Sequence, residues 1–182
     1  MTWFLLFPFI AQAVAMAVDE FYFHRRRSLP RWERIGHPID SLFVLGCLTF
    51  VLMVPFTLNA LKVYLVLAAV SCLVVTKDEW VHKQRCEAAE QWLHAVQFLL
   101  HPLTLLSAAV MWPVVWSHDL LSSVALNYLL DLSGSGPVFH NALVAQFVLI
   151  LGFLVYQIVY WNIDRRWDAE MRATAPTQKL TP

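Results

Sequence analysis

Carboxylates and imidazoles recur at helical spacing in the first half of the chain. Glu20 and His24 are four residues apart, as are Asp78 and His82, and Glu90 and His94. His37 and Asp40 are three apart, as are Glu79 and His82, and Glu87 and Glu90. Side chains three or four apart are neighbours on one helix face, so each pair can aim at one target. One acid or histidine near a membrane boundary is usually solvated. A crowd of carboxylates at one place is different, because the ionised groups repel one another. A bound cation relieves that repulsion. Mixed carboxylate and imidazole donors suit iron, manganese or zinc.

The expected metal ligands are Glu20, His24, His37, Asp40, Asp78, Glu79, His82, Glu90 and His94. Asp19, Glu87, His101, Gln157 and Asn162 are expected as outer partners that orient the ligands, or as alternative ligands. This is more donor capacity than one ion can use, so two metal ions are expected. Iron is the first choice, with zinc and manganese as alternatives. No separate catalytic side chain is assigned; the metal centre itself would be the reactive group.

These residues need helices to position them, and the composition says of which kind. The 182-residue chain is 59% hydrophobic and 14% charged, with a mean hydropathy of +0.57. Soluble domains carry about 25% charged residues. A span needs about 20 mostly apolar residues. Five apolar runs fit, at about 3–24, 36–54, 58–82, 87–112 and 141–163. The fold class expected is all-α, an integral membrane helical bundle of about five transmembrane helices. Residues 1–167 form one membrane domain, with 114–140 as an interfacial helix and loop and 168–182 as a flexible tail. The N-terminal run has no basic leader or cleavage signal and is expected to be the first span.

Basic residues set the expected orientation. Arg25, Arg26, Arg27, Arg31 and Arg34 follow the first run, Lys77, Lys83 and Arg85 flank the third connection, and Arg165, Arg166, Arg172 and Lys179 lie in the tail. With five spans all of these fall on one side, and Lys62 falls on the other. The positive-inside rule then places the N-terminus outside and the C-terminus in the cytoplasm, as in a bacterial inner membrane. Trp32, Trp80, Trp92 and Trp167 would form the inner aromatic belt, and Trp3, Trp112 and Trp116 the outer one. The same topology brings four acid- and histidine-bearing helix ends to the cytoplasmic face.

Over residues 19–94 the pattern resembles membrane-bound non-haem di-iron oxidases and hydroxylases in motif logic. Bundles of that kind offer carboxylates and histidines from four helices to two metals. The chain lacks the HxxxH and HxxHH boxes of the desaturase and hydroxylase family. Only Glu79-x2-His82 matches the ferritin-like Glu-x-x-His element. The resemblance implies oxygen chemistry but names no substrate.

Several function classes follow. The first is an oxygen-using oxidoreductase acting on a lipid-like or quinone-like molecule, fed by a soluble electron donor at the cytoplasmic face. Alternatives are a zinc-dependent membrane hydrolase, a metal transporter or sensor, and a haem protein using pairs among His24, His37, His82, His94 and His101. Cys47, Cys72 and Cys86 have no CxxC spacing and are expected as free thiols. There is no GxGxxG or Walker A sequence, and the zero net charge argues against a nucleic-acid partner.

Overall fold

The computed structural model describes residues 2–27, 29–116 and 134–164, and among these the chain is helical throughout. α1 spans Thr2–Val18 and continues as a π-helical turn, Asp19–His24. α2 is Arg31–Met53 and α3 is Leu58–Val74. A tight 3-10 turn, Val75–Asp78, leads into the short α4, Glu79–Arg85. α5 is Ala88–Trp116. α6 is Gly136–Tyr156 and ends in a second π-helical stretch, Gln157–Asp164. Five of these helical stretches are long and apolar enough to cross a bilayer.

The helix boundaries have local causes. Pro30 stands at the N-cap of α2, where a missing N–H costs nothing, so the helix starts at Arg31 rather than at residue 36. Thr57 caps α3 by accepting from the Ala60 N–H at 3.0 Å. α6 starts at Gly136, five residues before Asn141, with Pro137 in its first turn. Gly134 takes a left-handed φ of +74° just before it. At Gly136 a Cβ would meet the Val114 carbonyl oxygen at 3.0 Å, so glycine lets the start of α6 close on the end of α5.

The fourth span also runs past its expected end at 112, through Pro113 to Trp116. Tertiary bonds secure this last turn. The Trp112 and Trp116 indoles donate to the Val54 and Val51 carbonyls, each at 2.8 Å. Trp112 is therefore not part of an aromatic belt. It is fully buried, packed against Phe50, Phe56 and Tyr64. The expected interfacial helix falls largely at 117–133, and the expected tail is 168–182; both lie outside the described residues.

α1 packs on α5, α2 packs on α3 and α6, and α5 also touches α3 and α6. The apolar core lies between them, built from Phe9, Val44, Leu48, Val51, Leu105, Met111, Leu143 and Ile150 among others. The outward faces are apolar too: Phe4, Phe7, Leu42, Val66, Leu99 and Val148 are all exposed. Polarity is concentrated inside, at the end where α1 finishes and α2 and α5 begin.

Candidate metal centre

The first π-helical turn carries three of the central residues, Asp19, Glu20 and His24, all buried. π segments are rare and cluster at functional sites. The wider turn brings residues five apart onto one face, so Asp19 as well as Glu20 reaches His24. His24 Nε2 lies 3.4 Å from Asp19 Oδ1, and His24 Nδ1 lies 3.3 Å from Glu20 Oε2. α5 supplies Glu90 and His94 one turn apart. His94 Nε2 sits 3.1 Å from both Asp19 oxygens, and Glu90 Oε1 is 3.8 Å from His24 Nε2. Gln97, a turn further along α5, donates to Asp19 Oδ2 at 3.4 Å.

α2 and α4 close the cluster. The His37 ring lies 4.8 Å from that of His24, and the His82 ring 4.0 Å from that of His94, centroid to centroid. Glu33 is fully buried, with Oε1 3.9 Å from His82 Nε2. Four carboxylates (Asp19, Glu20, Glu33, Glu90) and four imidazoles (His24, His37, His82, His94) thus meet at one end of the bundle. A cavity of about 40 Å³ lies among them, lined by Asp19, His37, His82 and His94.

Three overlapping sets of donor atoms are close enough to hold an ion: Asp19, His24, Glu90 and His94; His24, Glu33 and His37; and His82, Cys86 and His94. In each set the donors lie within 4.8 Å of one another. His24 is shared by the first two sets and His94 by the first and third. Two ring nitrogens, His37 Nε2 and His94 Nδ1, are buried without a hydrogen-bond partner among the described residues. A buried polar atom left this way costs about 1–3 kcal/mol, which a bound cation would recover.

Other residues take different places. Asp40 is held by Lys77, whose Nζ lies 2.7 Å from both carboxylate oxygens. Glu79 is exposed where the 3-10 turn breaks the continuous helix, and Glu87 is exposed in the link between α4 and α5. Asp78 is placed by its backbone only, as the last residue of the 3-10 turn. His101 lies apart from the cluster, with Nδ1 3.3 Å from Gln12 Nε2 and Nε2 3.0 Å from Ser71 Oγ. Gln157 accepts from Ser41 at 2.9 Å, and Asn162 donates to the Arg34 and Gln157 carbonyls.

Sequence reasoning missed Glu33 and Trp161. Glu33 precedes His37 by four residues, the same signal that marked Glu20 and Glu90. It lies between Arg31 and Arg34, in the basic stretch between the first two apolar runs. Trp161 comes from the π-helical end of α6, and its indole N–H donates to Glu20 Oε1. No local pattern marks it, because the contact joins residues 141 apart. No family model matches the chain, and neither a curated protein nor a solved structure matches it.

Proposed function

We propose that the chain is an integral membrane protein that holds two metal ions at one end of its bundle. As iron, they would serve the oxygen-dependent oxidation of a lipid-like or quinone-like substrate. The observation that carries this reading is the meeting of four buried carboxylates with four histidines, of which Asp19, Glu33, Glu90 and all four histidines fall in overlapping ligand sets. Two divalent cations would neutralise four carboxylates while leaving the imidazoles uncharged and free to bind. That match of charge and donor number supports a pair over a single ion.

The apolar outward faces support insertion, since side chains such as Phe4, Leu42 and Leu99 would be costly in water over so large a surface. The basic residues after α1, around α4 and after residue 164 support the cytoplasmic assignment of the metal end. A soluble reductant could approach there, on the arginine-rich face.

Bound iron would supply oxygen binding and activation. In the balanced reaction a C–H bond becomes C–OH and one O2 is consumed. Two electrons and two protons come from the reductant, and the second oxygen atom leaves as water. The chain's own groups do the rest. Asp19 orients the His94 ring through Nε2, and Glu20 orients the His24 ring through Nδ1. Trp161 and Gln97 hold the carboxylates of Glu20 and Asp19 in place. Burial of the cluster keeps bulk water away.

One observation favours a second reading. His82, Cys86 and His94 form a nitrogen and sulfur set of the kind zinc prefers, which would suit a hydrolase. Elemental analysis of the purified protein separates the two. The oxidase reading expects about two irons per chain; one zinc and no iron favours the hydrolase. If neither metal is retained, and replacing Glu20, His82 and His94 together changes neither stability nor activity, both readings fail.

A further inference from the structure

A second cavity, of about 80 Å³, lies on the other side of Asp19 and runs inward along α1. Its lining on that helix extends from His24 to Gln12. At its outer end are Asp19, Glu20, His24 and His37. Between these ends the walls join apolar Met16, Val44, Val75, Ile150 and Phe153 with polar groups already bonded within the protein: Ser41 to Gln157, Asp40 to Lys77 and Gln97 to Asp19. At its inner end stand Gln12 and His101. The cavity thus has the carboxylate and histidine cluster at one end and an amide and imidazole at the other. At about 15 Å³ for each water-sized group, it takes a file of about five heavy atoms.

The inner end is set up for a ligand rather than satisfied internally. Gln12 is 5% exposed, and its Oε1 is buried without a hydrogen-bond partner among the described residues. Its Nε2 faces His101 Nδ1, and His101 is fixed in turn by Ser71. Rotating the amide would move the open position from an acceptor to a donor without filling it. A hydroxyl meets either case, since it both donates and accepts. A plain alkyl group meets neither, and a charged head would be left without a counter-charge at that depth.

We infer that this cavity seats the hydroxyl-bearing end of an unbranched aliphatic molecule. The hydroxyl pairs with the Gln12 amide, and the carbons a few atoms away pass beneath the cluster. This rests on the oxidase reading for its purpose but not for its binding. It narrows the substrate to a straight-chain alcohol or a lipid with a terminal hydroxyl. It also gives the linked polar groups Gln12, His101 and Ser71 a shared role.

The test uses a long-chain primary alcohol with a diazirine a few carbons from the hydroxyl, and the matched hydrocarbon probe without the hydroxyl. Each is photolysed with the purified full chain in phospholipid nanodiscs, and labelled peptides are mapped by mass spectrometry. The alcohol is expected to label Met16, Val44 or Ile150, and Gln12→Leu should cut that labelling at least tenfold. Val44→Phe, which narrows the cavity without touching the polar end, should cut it as well and guards against a Gln12 variant that does not fold. The hydrocarbon should label outward residues such as Phe7 and be indifferent to Gln12. The inference is overturned if the alcohol labels only outward residues, or if Gln12→Leu leaves cavity labelling unchanged. Metal content is measured on the same samples. Cavity labelling without metal would sink the oxidase reading and leave this one standing; metal without cavity labelling would do the reverse.

Discussion

Asp19→Asn is the most informative single change in the cluster. Asparagine keeps the shape and can still hydrogen-bond, but it removes the charge that faces His94 at 3.1 Å, His24 at 3.4 Å and Gln97 at 3.4 Å. Asp19 belongs to the four-residue set with His24, Glu90 and His94. Loss of one such group lowers metal affinity by about a hundredfold, the upper end for groups that support a metal. A ligand present at a hundred times its Kd stabilises the folded state by about 2.7 kcal/mol, and one present at its Kd by about 0.4 kcal/mol. Asp19→Asn should therefore forfeit about 2.3 kcal/mol of metal-dependent stability. At roughly 2–4 °C per kcal/mol for chains of this size, that is about 5–9 °C in Tm. The metal-free variant should lose less than the metal-bound one, because asparagine can still hydrogen-bond to these partners. The assay is thermal unfolding in detergent with and without added Fe(II), run beside iron analysis. The reasoning is refuted if Asp19→Asn keeps the full metal-dependent rise in Tm, or if it loses as much stability without metal as with it.

Asp40→Asn should leave the metal per chain unchanged, since Asp40 is already committed to Lys77; a loss of metal would place Asp40 in the site after all. Trp161→Phe keeps the ring but removes the N–H that Glu20 accepts, so unfolding should become easier by about 1.5–3 kcal/mol, the worth of a hydrogen bond to a charged group, which denaturant titration would measure. Tyr64→Phe loses the hydroxyl bond to the Leu105 carbonyl, at 2.7 Å, and should cost about 1 kcal/mol with no change in metal content, serving as a control remote from the cluster. Acidification should release bound metal, because the donors must be deprotonated to bind it; retention of metal at a pH where free imidazole is fully protonated would argue against histidine ligation. In sealed, oriented vesicles, a membrane-impermeant thiol reagent should reach Cys86 and a cysteine at Arg26 from the same side, and Asn59→Cys from the opposite one.

Much of the fold was legible in one dimension. A span is a local property, since every backbone hydrogen bond of a helix closes within its own segment and the side chains need only be apolar. The runs beginning at Trp3 and Leu58 could be read directly, the one expected from 87 starts at Ala88, and the pairing of acids with histidines one turn apart was also legible. Helix ends were harder. The start of α2 depended on a proline cap, and the end of α5 on indole bonds to another helix.

What the sequence by itself determined is that apolar helices carry Glu20, His24, His37, His82, Glu90 and His94 at one end, because periodicity and hydropathy are written residue by residue. Which acids face inward was decided by the tertiary structure. The π-helical turn added Asp19 to the face of Glu20 and His24. The 3-10 turn left Glu79 exposed while His82 is buried. Lys77 claimed Asp40, and α2 buried Glu33 against His82. Each of these outcomes depends on a local change of helical pitch or on a partner from another helix, and a regular 3.6-residue period carries neither.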